Sequence, residues 1–156
     1  MGVAGSGKTT VGTLLASDLG WEFADADDYH SAANVEKMRG GMPLTDADRG
    51  PWLETLRARI VGWLESRTNA VLACSALRQV YRDRLQVNEQ VHFVLLKGER
   101  DLLSTRLLQR PDHYMKQSML ESQLETLEEP MDAVVVDAGL APAEIVHAIR
   151  GTFSLV

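Results

Sequence analysis

Three observations predict an α/β fold in which a parallel sheet carries helices on both faces, a three-layer arrangement. Short apolar runs rich in β-branched residues recur at residues 70–74, 91–96 and 133–136, too short and too continuous for amphipathic helices. Segments with helical spacing separate them, the alternation expected of parallel strands joined by crossover helices. A glycine-rich loop at the very start, residues 2–9, leads straight into the first of those helices.

Taken in order, the first helix presents Val11, Leu14, Leu15 and Leu19 on one face and stops at Gly20, a residue suited to a left-handed cap. A short strand at residues 21–24 follows. Thr45 and Asp48 stand three apart like a capping box, and Pro51 is expected to restart the helix so that Trp52, Leu56, Ile60 and Trp63 form a core stripe. After the strand at 70–74, Ser75 is the expected cap of a helix carrying Leu77, Val80, Tyr81 and Leu85. Residues 106–129, dense in Arg, Gln, Glu and Met, suit a mobile helical lid. Pro142 opens a terminal helix with Ile145, Val146, Ile149 and Phe153. No linker or repeat divides the chain, so residues 1–156 read as a single domain.

Composition narrows the function. The 156 residues hold 16 Lys and Arg against 22 Asp and Glu, a formal charge of −6 that argues against a broad basic surface for nucleic acid or anionic membrane. Any anion site must be local. The one cysteine, Cys74, cannot close an intramolecular disulfide and reads as a buried small hydrophobe. With no run near the roughly 18 apolar residues of a membrane helix, a cytoplasmic protein is expected.

Gly2-Val3-Ala4-Gly5-Ser6-Gly7-Lys8-Thr9 satisfies every fixed position of G-x-x-x-x-G-K-[ST]. Its glycines let backbone N–H groups wrap phosphates that also face a helix N-terminus. Lys8 is expected to bridge the β- and γ-phosphates of ATP, and the Thr9 hydroxyl to ligate Mg²⁺. Such a loop should follow a buried strand, yet only Met1 precedes it. The expectation is a reading frame that begins upstream and encodes an apolar strand of about five residues leading into Gly2.

Asp25, Asp27 and Asp28 leave the short strand at the end where α/β sheets bind ligands. A carboxylate there accepts a hydroxyl proton or holds Mg²⁺ through water, the two services phosphoryl transfer to an alcohol requires. His30 either bonds an acceptor hydroxyl or braces the turn. Arg106 and Arg110, four apart on the expected lid helix, share a face that closes on the ATP phosphates. Asp137, ending the last apolar run, is a nucleotide neighbour or a turn residue.

GVAGSGKT, DADDYH, EKM, PLTDADRGPWL, ACSALRQVYRDRL and SQLETLEEP together resemble the gluconokinases of the small P-loop kinase type, over residues 2 to about 137. The resemblance implies a P-loop kinase fold related to shikimate kinase, with a helical lid and with the first strand lying between the two that begin near residues 70 and 91, and transfer of the ATP γ-phosphate to the 6-hydroxyl of D-gluconate. It also implies that Asp25 lies near Mg²⁺, that Asp27 faces the acceptor hydroxyl, and that Arg49 grips the sugar acid. By the same resemblance, Arg78 and Arg82 are expected to add positive charge to the same pocket. Three positions depart from the pattern: Arg78 stands where Lys is usual, Leu124 where Phe is usual, and Asp112 where Gly commonly precedes the lid histidine, here His113. The partner expected is a small-molecule sugar acid, with no nucleic acid or membrane, and a homodimer is left open. The alternatives are a kinase for another sugar acid or shikimate, and an inactive nucleotide-binding protein; the absence of N-K-x-D counts against a GTPase switch.

Overall fold

Strand β1 (Glu22–Asp25) runs parallel to β2 (Ala70–Ala73), with Glu22 opposite Ala70 and Asp25 opposite Ala73. Strand β3 (Val94–Lys97) runs parallel to β4 (Val134–Asp137), with Val94 opposite Val134 and Lys97 opposite Asp137. The computed structural model describes residues 1–111 and 113–156, the side chains of 113–116 excepted. The expectations for Asp112 and His113 lie outside the described residues. The helices are α1 (Lys8–Leu19), α2 (Ala32–Arg39), α3 (Asp46–Glu65), α4 (Gln79–Leu85), α5 (Arg100–Leu108), α6 (His113–Thr126) and α7 (Pro142–Phe153), with a 3₁₀ turn at Ala26–Tyr29.

The two strand pairs do not join into one ladder. Between them lies the start of the chain: the Met1 amine donates to Val94 O at 2.5 Å, Leu96 N donates to Met1 O at 2.9 Å, and Gly2 N donates to Ser75 O at 3.3 Å. Among the described residues, Met1 and Gly2 therefore hold the place expected for a first strand, between β2 and β3. Behind them a cavity of about 680 Å³ separates the pairs, lined by Val71, Leu72, Phe93, Val94, Leu15 and Trp63 among others.

Helices cover both faces, as the alternation predicts. On one, α1 and α7 press Val11, Leu15, Ile145, Val146 and Ile149 onto Leu96 and Val136. On the other, α3 and α4 bring Trp52, Leu53, Leu56, Ile60, Trp63, Tyr81 and Leu85 against Ala24 and Cys74. A third cluster, Val3, Leu77, Leu103, Leu107 and Leu120, ties the loop to α5 and α6. Leu56, Leu95, Leu103 and Leu120 are wholly buried, each contributing about 1.5 to 3 kcal/mol.

Four local expectations need correction. Pro51 does not restart α3 but lies inside it, because the Thr45–Asp48 capping box has already opened the helix at Asp46 and Pro removes only one amide from the ladder. Ser75 does not cap α4; Arg78 occupies the N-cap with extended backbone and makes no side-chain cap, since residues 75–78 form a connecting loop. The run at 91–96 pairs only from Val94, Val91 being held by a turn bond from its N–H to Asn88 O. The lid region is two helices rather than one: α5 ends at Leu108, so Arg110 lies beyond it and shares no helical face with Arg106. The Gly20 cap is left-handed as expected, at φ 65°.

Candidate active site

The loop shapes itself around glycine. Gly7 takes φ 93° as the N-cap of α1, which turns the following amides toward one point at the helix start. Gly5 lies so close to α5 that a Cβ would meet Leu103 O at 3.0 Å and the Leu107 side chain at 3.2 Å. A side chain there would make α5 give by a few tenths of an ångström and would strain a backbone at φ 79°. The Ser6 hydroxyl is buried and has no partner among the described residues.

Lys8 opens α1 and its Nζ donates to Val3 O at 3.1 Å, across the mouth of the loop. Burial pushes its ammonium below the ordinary value, with the nearby charge of Arg110 acting in the same direction and Asp27 opposing. A desolvated cation of this kind gains most from a phosphate oxygen. Next to it, Thr9 Oγ1 donates to Asp25 Oδ2 at 2.8 Å, so the hydroxyl and carboxylate expected at Mg²⁺ meet. Two hard oxygens at one corner, with room for water and phosphate oxygens, are a donor set that suits Mg²⁺.

Asp25 ends β1, and its other oxygen caps the 3₁₀ turn by accepting from Asp27 N at 3.0 Å. This bond presents Asp27 outward. Its side chain is 81% exposed, yet the walls around it displace water, and this together with the Asp25 charge raises its carboxyl above the usual value. The open exposure limits how far that rise can go. His30 Nε2 lies 3.9 Å from Asp27 Oδ1, and its ring stacks on Trp52 at 4.4 Å and 11°. Trp52 is core, as expected, but it also holds the turn by donating from Nε1 to Ala26 O at 2.7 Å.

Arg49, in the first turns of α3, donates from one terminal nitrogen to Leu44 O at 2.7 Å and to Tyr81 Oη at 3.2 Å. Its guanidinium lies 5.4 Å from the centre of the Tyr81 ring. Tyr81 in turn donates to Asp46, which accepts from Arg78 at 2.6 Å, and Arg78 Nε reaches Glu128 at 3.4 Å. Arg49 keeps donors free for a carboxylate, because a guanidinium carries five. Arg82 behaves differently. It is 2% exposed and donates to Ala76 O, Leu77 O, Glu128 O and Gln79 Oε1, so it braces the loop after β2 instead of charging the pocket.

Arg106 reaches the loop but leans on backbone, donating to Ala138 O at 2.7 Å and Gly5 O at 3.4 Å. Asp137 accepts from Gly139 N at 2.7 Å, the turn role. Cys74 is buried, and that burial pushes its thiol up to about 11, so it is an unreactive core residue. Two residues of the site escaped the sequence reading. Gln123, within the SQLETLEEP motif of α6, accepts from Ala4 N at 2.6 Å, and Asn34 of α2 bonds toward His30. Neither position has a periodicity or spacing that marks it.

A nucleotide phosphate cradle facing a strand-end carboxylate serves transfer to an alcohol, and the chain is thus a P-loop phosphotransferase acting on a hydroxyl group. The family profile described as "Shikimate kinase" matches residues 4–152. A probable gluconokinase of Dictyostelium discoideum is 42% identical over 156 residues, covering 96% of this chain and 78% of that protein. A gluconokinase of Gluconobacter oxydans (strain 621H) is 47% identical over 133 residues, 85% of this chain and 75% of that one. The crystal structure of a gluconokinase from Sinorhizobium meliloti 1021 superposes with a TM-score of 0.88 at 41% identity, covering 99% of this chain and 89% of that chain. The chain belongs to the gluconokinase family of shikimate kinase-like P-loop kinases.

Proposed function

We propose that this chain transfers the γ-phosphoryl group of ATP to the 6-hydroxyl of D-gluconate, giving 6-phosphogluconate and ADP. The observation that carries it is the grouping of Asp27 and His30 at 3.9 Å, with the Arg49 charge acting on His30 and the Asp27 charge acting on the loop lysine. Gluconate has both a hydroxyl for the first pair and a carboxylate for the third.

Asp27 Oδ1 takes the proton as the hydroxyl oxygen bonds the γ-phosphorus and the bond to the leaving ADP oxygen breaks. Lys8 and the amides of Gly5, Ser6 and Gly7 hold the phosphates in line, and Arg106 and Arg110 approach them from the lid side. Thr9 and Asp25 would hold Mg²⁺, which when bound offsets charge on the phosphate oxygens. Arg49 fixes the gluconate carboxylate by charge-assisted hydrogen bonds, while the charge of Arg78 is matched by Asp46 and Glu128. A cytoplasmic setting belongs to the same proposal, supported by a lone, buried, unpaired cysteine. Among the described residues no helix is long and apolar enough to cross a membrane.

An ADP-release assay with Mg·ATP across gluconate, related sugar acids, shikimate and no acceptor tests the assignment. Gluconate should give the highest kcat/KM. Equal ADP release with and without gluconate, or a preference for shikimate, would remove it.

A further inference from the structure

Asn34 has no place in the mechanism above, yet it is a buried polar residue, 6% exposed, beside the acceptor pair. Its backbone N–H is taken by the Ser31 hydroxyl that caps α2, at 3.2 Å. Its side-chain nitrogen donates to Asp48 O at 3.0 Å, and a carbonyl can only accept, so this contact fixes which end of the amide is NH₂. The same nitrogen lies 3.4 Å from His30 Nδ1. An amide NH₂ only donates. His30 Nδ1 must therefore accept, and in a neutral imidazole the proton then sits on Nε2.

Resting on the kinase reading above, we propose that Asn34 is a positioning residue that locks His30 as the Nε2–H tautomer and so turns His30 and Asp27 into a two-point clamp specific for a hydroxyl. The Nε2 to Oδ1 separation of 3.9 Å is too long for a direct hydrogen bond and short enough for one oxygen to bridge. An oxygen seated there accepts from His30 Nε2–H and donates to Asp27 Oδ1. Only a group that both donates and accepts satisfies the two, which an alcohol does and an ammonium does not. The clamp also settles the division of labour: His30 Nε2 already carries a proton, so the hydroxyl proton leaves to Asp27, and His30 holds the oxygen lone pair while the new bond to phosphorus forms.

The surroundings favour a neutral ring. Trp52 covers one face of the imidazole, the His30 side chain is 5% exposed, and Asn34 offers a donor that an Nδ1–H would oppose. Burial and the Arg49 charge hold the imidazole below its ordinary value, and Asp27 alone opposes them. The backbone reinforces the placement, with His30 N donating to Asp27 O at 3.3 Å.

The direct test is ¹⁵N NMR of the ring nitrogens in the acceptor-free protein at neutral pH, with the His30 signals assigned by their loss in His30→Gln. A pyridine-type Nδ1 and a pyrrole-type Nε2 are expected. Asn34→Asp, which replaces the NH₂ by an acceptor in the same outline, should move the proton to Nδ1 or charge the ring. His30→Gln keeps an N–H donor near the Nε2 position and should retain gluconate kcat within about tenfold, whereas His30→Leu should lose more than tenfold. Nucleotide Kd should stay constant in all three. A pyrrole-type Nδ1 in the unsubstituted protein would overturn the proposal, as would equal losses in His30→Gln and His30→Leu. The tautomer is read without any acceptor, so a failed substrate assignment leaves that readout standing.

Discussion

The two walls of the cleft are built on opposite plans. On the acceptor wall, functional groups hold one another: Trp52 and Asn34 fix His30, Tyr81 and Leu44 O fix Arg49, and Asp46 ties Tyr81 to Arg78. On the nucleotide wall, three donors lean on groups a phosphate would displace: Lys8 on Val3 O, Arg106 on Ala138 O and Gly5 O, Ala4 N on Gln123. The difference teaches where specificity and motion reside. A wall fixed before binding loses little conformational entropy and selects by fit, whereas a wall that exchanges partners couples nucleotide arrival to movement of α5 and α6.

The largest effect should come from the acceptor wall at its reacting atom. Asp27→Asn keeps the shape and removes the proton acceptor, so kcat should fall by roughly 10² to 10⁴ while ATP Kd stays nearly unchanged. Turnover kinetics with nucleotide titration would separate the two, and a parallel loss of ATP affinity would blur the walls into one unit.

Next comes the way the loop is delivered to the nucleotide wall. Burial holds the Met1 amine at about 5, below its ordinary 8.0. A base lowered by folding gives stability that is complete above the unfolded value and is lost as pH falls toward the folded one. At about 1.4 kcal/mol per pH unit, up to about 4 kcal/mol should disappear between pH 8 and pH 5 for a chain beginning at Met1. Joining an apolar strand of about five residues ahead of Met1 removes that charge and fills the slot between β2 and β3. Thermal melting against pH should then flatten over this window and shift upward. Identical profiles for the two chains would show that the slot does not accept a strand.

A third comparison returns to the acceptor wall. Removing the Arg49 clamp by Arg49→Ala should raise gluconate KM by roughly 10- to 100-fold, from charge-assisted bonds worth about 1.5 to 3 kcal/mol, with ATP KM steady. An unchanged gluconate KM would take Arg49 out of the carboxylate site. The smallest effect belongs to Gln123→Ala, which frees Ala4 N of a placeholder worth about 0.5 to 1.5 kcal/mol and should tighten ATP Kd by about two- to tenfold. A weaker Kd would instead make Gln123 part of the nucleotide site.

What the sequence disclosed depends on how local the cause is. The strands, the Gly20 cap, the Thr45–Asp48 box and the phosphate loop all follow from neighbours within a turn or two, and each stands where its residues place it, give or take a strand end. The misreadings among the site residues are non-local. Arg78 and Arg82 lie one helical turn apart, and nothing in that spacing says that one reaches Asp46 while the other turns inward to backbone carbonyls. Asn34 acts across 14 residues to Asp48 O, a link made by the packing of α2 on α3. The break after Leu108 lacks a glycine or proline until Pro111, so the lid read as one segment.

The central claim is that the cleft brings a γ-phosphoryl group and one hydroxyl of a sugar acid together at Asp27. It is tested most directly by comparing D-gluconate with its 6-deoxy analogue in the presence of Mg·ATP, following ADP release and the ³¹P spectrum of the product. Gluconate should yield ADP and one phosphomonoester on the 6-oxygen, while the deoxy compound competes with gluconate and releases no ADP above the acceptor-free background. Phosphorylation of the 6-deoxy compound at a rate near that of gluconate would contradict the account.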